Sequence, residues 1–212
     1  MAVPDTSIDP RILESAREEF LEHGFANTQL KDICRKAGVT TGALYKRYKG
    51  KEDLFSALVQ DAAKEIADMA LVREAQDPAL LTDAQLLSAW GMDESSDYSW
   101  SMQAWFAFLY ARKEEFTLLL ACSEGTRYAG FMDSWLDRMT VGTYGYLLEL
   151  CRRGMADRPV SREELRVMLS AFWTMVYEPF LQNFDRQQLD IHCEIMCRMF
   201  NWQNLLGLHM PG

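Results

Sequence analysis

Between Lys31 and Lys51 the chain places seven basic residues (Lys31, Arg35, Lys36, Lys46, Arg47, Lys49, Lys51) against one acid, Asp32, although its formal net charge is -9. Residues 1–30 sum to -4, residues 31–51 to +6 and residues 52–212 to -11. A polyanion is repelled everywhere except at this stretch, so phosphate contact has one place to occur. Lys31, Arg47, Lys49 and Lys51 have the reach to meet phosphates, and Lys51 opens a helix whose free N–H groups add to the attraction. Gly42 and Ala43 let a backbone come close to base edges, and Thr41, Tyr45 and Lys46 can hydrogen-bond there.

A second chemistry is suggested by aromatic mass. Trp105, Phe108, Trp135, Trp173 and Tyr177, with neighbouring Phe and Met, exceed what a helical core of this size requires, and a pocket for a flat, greasy ligand accounts for the excess. Glu178 sits in the apolar run AFWTMVYEPFLQNF. A carboxylate there must find a partner: a cationic ligand, an internal Arg or Tyr, or solvent at the helix surface. Pro179 after it should free a carbonyl near the same place. Cys193 and Cys197, one helical turn apart beside His192, could share a metal or sense oxidation, but a metal site needs more ligands than are visible. Core packing accounts for them, and no metal or cofactor is expected.

These side chains need elements to hold them. Asp9-Pro10 reads as the start of a first helix with Ile12, Ala16 and Phe20 inward, ending near His23-Gly24. Thr28 can cap a second helix that buries Leu30, Ile33, Cys34 and Ala37, and Gly38 closes it in a tight turn. Thr40 caps a short third helix, about Thr41 to Tyr48, with Leu44 and Tyr48 inward and Thr41, Gly42, Tyr45 and Lys46 on its other face. A fourth begins at Gly50-Lys51-Glu52-Asp53, acidic in its first turn. Beyond residue 78 the chain reads as helical, broken at 91–99, 123–127 and 152–164, with WSMQAWFAFLY (100–110) apolar on every side and expected to be buried all round. Two long helices follow, about Arg162–Phe184 and Gln187–Leu206.

Two short helices joined at a glycine, the second polar and basic on one side, have the layout of a helix-turn-helix. TxxxDICRKAGVTTGALYKRYKGKEDLF, within residues 12–58, resembles the DNA-binding domain of the tetracycline-repressor (TetR) family. Tyr48, often Phe in that family, and Gly50, often Ser, Asn or Thr, are the two departures. The resemblance implies an all-α homodimer: a three-helix helix-turn-helix domain followed by a larger helical domain that binds ligand and dimerises. It assigns Lys31 to a helix that can touch DNA, Thr41, Gly42, Tyr45 and Lys46 to the reading surface, and Lys51 to phosphate.

On this reading residues 1–52 form the DNA-binding domain and residues 53–212 the regulatory domain. The expected function is a ligand-responsive transcriptional regulator, a repressor, bound to a palindromic double-stranded operator as a homodimer and released by an apolar, aromatic inducer. The dimer is expected from the last two helices, through Met168, Leu169, Phe172, Ile195, Met196, Met199 and Phe200. The alternative is an enzyme acting on a hydrophobic molecule in the C-terminal helices, with no catalytic residues identified: there are three histidines, no GxSxG and no Gly-rich phosphate loop. No run of about 18 uncharged apolar residues exists and the N-terminus lacks the pattern of a signal peptide, so a cytoplasmic protein without membrane contact is expected. Five cysteines without CxxC spacing are expected to stay reduced.

Overall fold

A computed structural model describes residues 8–92 and 98–210, with side chains omitted at 98–101. The fold is all-α, with no strand among the described residues. The helices are α1 (Ile8–Asn27), α2 (Leu30–Ala37), α3 (Thr41–Tyr45), α4 (Lys51–Ala75), α5 (Asp83–Ser88), α6 (Tyr98–Ala111), α7 (Lys113–Ala121), α8 (Phe131–Arg152), α9 (Arg162–Leu181), α10 (Arg186–Met199) and α11 (Trp202–Leu206). Residues 1–7 and most of the expected break at 91–99 lie outside the described residues.

The chain forms two compact units, divided inside α4 between Glu65 and Ile66. The first holds α1–α3, the start of α4, and residues 112–131 with α7. The division thus falls later than the 52/53 boundary read from sequence, and the first unit also takes in a segment from much further along the chain. The core of this unit contains Ile12, Ala16, Phe20, Ile33, Leu44, Leu54 and Phe55, all fully buried, with Phe116 of α7 beside them in burial. Phe20, Phe25 and Phe55 meet at centroid distances of 5.2–5.8 Å.

Local chemistry explains the short elements. Gly38 ends α2 at φ 66°, a left-handed conformation that a Cβ would strain, and its N–H bonds back to the helix. Thr40 caps α3 by accepting from the Ala43 N–H at 3.1 Å. The cap expected at Thr28 is absent: α2 starts after Gln29 without a side-chain cap, and the Thr28 hydroxyl donates to the carbonyls of Glu19 (3.0 Å) and Gly24 (2.8 Å), tying the turn to α1. α3 stops at Tyr45, shorter than expected, and the Tyr48 N–H still bonds the Leu44 carbonyl at 2.9 Å. Asp53 reaches back to accept from the Lys49 N–H at 3.0 Å, tying the approach to α4 to its first turn.

The second unit packs α5, α6, α8–α11 and the end of α4 around Leu86, Trp135, Leu147, Phe172, Val176, Phe180 and Met196. The helix over 100–110 is not buried all round. Met102, Phe106 and Leu109 are buried at three- and four-residue spacing, while Ala104 and Tyr110 are exposed. One face packs, chiefly against α10, and apolar composition does not by itself bury the other. The last long helix is also interrupted, at Phe200-Asn201, where Asn201 caps α11.

Pro179 lies in the last turn of α9 and has no N–H to give the Met175 carbonyl, four residues back. His192 of α10 supplies the donor through Nε2 at 2.8 Å, which fixes its tautomer. All five cysteines are free, and burial pushes the Cys193 thiol up to about 12, with Cys197 adding to the shift. A thiol so reluctant to ionise is a poor redox sensor.

Glu149 of α8 is buried and accepts hydrogen bonds from Arg152 (2.6 and 2.7 Å) and Arg153 (2.7 Å), which also pairs with Asp83 at 2.6 Å. Arg152 first, and then Arg153, hold the carboxyl at about 2, below its ordinary 4.5. Because the folded value is the lower one, the pair stabilises the protein above pH 4.5 and the contribution is lost as pH falls towards 2. Allowing for solvent around the exposed Arg152, Glu149→Gln should cost on the order of 2 kcal/mol at pH 6 and close to nothing near pH 2. Urea midpoints across that range check it, and a difference that does not change with pH would refute the assignment.

Candidate functional site

α3 presents Thr41, Gly42, Tyr45 and Lys46 outward, with Tyr45 58% exposed, while Leu44 is fully buried beneath them. A Cβ on Gly42 would meet only the Thr40 hydroxyl, at 3.9 Å, so the small residue there is not required by packing. Its value is the open backbone it offers on that face. Lys31 on α2 is exposed as well.

The structure divides the seven cations into two groups. The ammonium groups of Lys31, Lys46 and Lys49 form no ion pair among the described residues, and all three side chains are exposed. The other four are engaged within the protein. Arg35 pairs with Asp32 at 2.9 Å, and Lys36 with Glu18 at 2.7 Å and Glu19 at 3.3 Å. Those carboxylates, the Glu18 hydrogen bond foremost, raise the Lys36 pKa. Arg47, expected at DNA, pairs with Asp9 at 2.5 Å and donates to the Ala43 carbonyl at 3.3 Å, tying the end of α3 to the start of α1.

Lys51 departs furthest from the sequence expectation of a phosphate contact. Its Nζ donates to the carbonyls of Phe25 (2.5 Å), Thr28 (2.9 Å) and Ala26 (3.2 Å), and lies 4.3 Å from the centroid of the Phe25 ring. An ammonium has three donors, and all three are used. The cation sits just past the break in α1 at Gly24 (φ 71°), among carbonyls left over at its end, and partial burial lowers its pKa. Lys51 therefore holds the α1–α2 turn to the start of α4.

In the second unit the expected ligand residues separate. Trp105 stacks on Phe108 (5.3 Å), Trp173 meets Trp105 (5.8 Å) and Trp135 (4.7 Å) edge to face, and these rings pack on one another. The Trp135 Nε1 donates to the Ile66 carbonyl at 2.8 Å. Tyr177 pairs with Thr174 (3.3 Å), and Glu178 accepts from Gln182 (2.9 Å), one turn on along the same helix surface. Glu178 thus takes the plain reading, satisfied locally at the helix exterior. A cavity of about 170 Å³ does exist, lined by Trp90, Met139, Thr143, Phe172, Trp173 and Trp202 among others, and Trp173 is the only member of the expected set on its wall.

Trp90, Thr143 and Trp202 had no place in the sequence-based site. One signal was available for Thr143: it follows Trp135 and Met139 at four-residue spacing, a hydroxyl on an otherwise apolar helical face. As for metals, Glu19, Glu22 and His23 bring donor atoms within 4.8 Å of one another, but Glu22 and His23 are exposed and Glu19 is engaged by Lys36.

Residues 12–58 match the family model of bacterial regulatory proteins, tetR family, a span that covers α2, α3 and the turn between them. Over these residues the chain is similar to the DNA-binding domain of TetR-family transcriptional regulators. It is similar to the HTH-type transcriptional regulator SrpR of Pseudomonas putida, 26% identical over 188 residues, covering 80% of this chain and 85% of that one. The HTH-type transcriptional regulators AcrR of Shigella flexneri and UidR of Escherichia coli, 37% and 40% identical, align over less than a third of their own length. Among solved structures, a TetR-family regulator from Bordetella parapertussis superposes with a TM-score of 0.63 over 95% of this chain and 98% of that one, at 16% identity. NalD, the secondary repressor of the MexAB-OprM multidrug efflux pump of Pseudomonas aeruginosa, gives 0.54 over 92% and 93%, at 19% identity. These two likenesses establish a shared fold. Among the described residues, no helix is long and apolar enough to cross a membrane.

Proposed function

We propose that this chain is a ligand-responsive repressor of the TetR family that binds a palindromic operator as a homodimer and is released by an apolar small molecule. The observation that carries the DNA half is the exposed α3 face, Thr41, Gly42, Tyr45 and Lys46, flanked by the unpaired cations Lys31 and Lys49. Thr41, Tyr45 and Lys46 read base edges in the major groove; Lys31 and Lys49 meet phosphates. Arg47 and Lys51 act one step back, fixing the angle at which α3 is offered.

Pairing of two copies is supported by Ile191, Ile195 and Met199, at four-residue spacing on α10 and 53%, 49% and 60% exposed. Leu169, Phe172 and Met196, which the sequence also offered for pairing, lie in the protomer's own core and have no surface to give. Two heads one helical turn apart, about 34–36 Å, match successive major grooves, and a ligand that alters their spacing breaks the register. NalD, a similar fold, is a repressor by its description, which supports the same sign of regulation here.

With about three cations per protomer facing DNA, the dimer's log affinity should fall with log salt at a slope of about -5. Lys46→Ala should reduce that slope by about 1 to 2, cost about 1–3 kcal/mol at the preferred operator and relax the base preference at one position in each half-site. Selection from a random DNA pool, followed by salt titration of the selected sequence, measures both. An unchanged consensus for Lys46→Ala would take this residue off the reading surface.

A further inference from the structure

We propose that the cavity bounded by α8, α9, α11 and the end of α5 takes a single-ring aromatic molecule that carries an oxygen hydrogen-bond acceptor and no positive charge. This rests on the reading of the chain as ligand-responsive and names the ligand's chemistry.

Size comes first. About 170 Å³ is close to the roughly 150 Å³ of an apolar protein cavity that holds benzene, so the space suits a single ring. The walls are aromatic and apolar: Trp90 and Trp202 at 5.6 Å, Phe172 and Trp173 at 5.2 Å, with Met139 and Leu169.

Three polar atoms on the same wall are unexplained by the fold. Trp90 Nε1, Trp173 Nε1 and Thr143 Oγ1 are buried and make no hydrogen bond with any described group; Trp90 is 4% exposed and Thr143 is 3% exposed. Proteins rarely leave such groups unmade, because each costs free energy. Trp105 Nε1, off this wall, is likewise buried without a partner, but other neighbours of the same types are satisfied in ordinary ways. Trp135 donates to the Ile66 carbonyl, and Thr140, three residues before Thr143 on α8, bonds back to the Leu136 carbonyl at 2.8 Å. Thr143 makes no such bond. An indole N–H can only donate, so two of the three groups can be met only by an acceptor, and the hydroxyl can join them as a donor.

Charge narrows the class further. Among the described residues no Asp or Glu lines the cavity, and Arg73 does, held by its Nη2 donation to the Ala89 carbonyl at 3.0 Å and by the Tyr146 ring 4.9 Å away. A cation would meet donors and a guanidinium with nothing to balance it. A ketone or a carboxylate meets complementary groups. The cationic ligand that was one option for Glu178 is thereby disfavoured.

Four probes of nearly one size separate the possibilities: acetophenone, benzoate, toluene and benzylamine, titrated calorimetrically into the full-length protein. Acetophenone or benzoate should bind at least tenfold more tightly than toluene, and benzylamine should not bind measurably. Thr143→Val keeps the shape and removes one donor. It should weaken the acceptor probe about fivefold or more, leave toluene unchanged, and raise the thermal midpoint of the unliganded protein, because an unsatisfied hydroxyl has gone. Tyr177→Phe, off the cavity wall, should alter none of these affinities. Binding of toluene as tight as that of either acceptor probe would overturn the inference, and so would failure of both acceptor probes to bind, which would leave water as the partner of the three donors. Operator release, followed by fluorescence anisotropy, separates this from the reading it rests on. Selective binding without release keeps the ligand class and removes the inducer role. Release by apolar compounds with no acceptor preference does the reverse.

Discussion

Lys51→Met is expected to lower the thermal midpoint by about 4–12 °C while leaving the salt slope of operator binding unchanged. The stability loss follows from what the ammonium holds. Its three acceptors, the carbonyls of Phe25, Ala26 and Thr28, lie at the end of α1 and in the turn to α2, where the helix has used its own donors. Hydrogen bonds to a charged group contribute about 1.5–3 kcal/mol each in isolation, but these three share one partly solvated cation, so about 2–3 kcal/mol is the expected sum. Met retains most of the aliphatic stem against Phe25 and removes only the charge. Operator affinity should still fall, because a looser α1–α2 turn offers α3 at a range of angles, but it should fall equally at all salt concentrations. A slope reduced by about 2 with an unmoved midpoint would mean that Lys51 releases a counterion after all, as the family resemblance implied.

That contrast marks what the amino-acid sequence could convey. The helix-turn-helix was legible because its determinants are local: Gly38 must take a positive φ, Thr40 must cap, and Ile33, Ala37 and Leu44 recur at helical spacing. The outward residues of α3 follow from the same periodicity. Which cations remain free was not legible, because the answer depends on carboxylates and carbonyls remote in sequence. Asp9 claims Arg47, Glu18 and Glu19 claim Lys36, and the end of α1 claims Lys51. Counting basic residues overstated the phosphate-binding surface for this reason.

The ligand site was harder still. Aromatic richness was visible, but it could not distinguish rings that pack on each other, such as Trp105 and Phe108, from rings that enclose space, such as Trp90 and Trp202. The second pair comes from segments far apart in the chain. Glu178 looked anomalous in a run of apolar letters; at helical spacing it has Gln182 beside it and a surface to occupy. Pro179 did announce a freed carbonyl, and only the fold could name His192 as its partner.

Ile195→Asp should turn the proposed dimer into a monomer and weaken operator binding at least about 100-fold. Ile195 is the middle of three apolar side chains on one face of α10, with Ile191 and Met199 one turn to either side, each about half exposed on the single chain. An interface with two-fold symmetry uses the same patch on both copies, so one substitution buries two carboxylates close together in an apolar contact. Neither has a partner there, and an unpaired buried charge costs several kcal/mol. The fold itself should survive, since Ile195 lies outside the protomer's core and the change leaves Leu189, Cys193 and Met196 on the inner face. Loss of pairing then removes the effective concentration that lets the second head bind once the first has done so, a factor of about 10²–10⁴. Leu80→Asp is the control: Leu80 is 83% exposed and lies apart from α10 in the chain, so its replacement should leave the dimer and the operator affinity intact. Sedimentation velocity at micromolar concentration, paired with operator titration, reads both effects. A dimeric Ile195→Asp protein with unchanged operator affinity would move the pairing surface away from α10, and dissociation by Leu80→Asp as well would show that an added charge anywhere on this unit is enough.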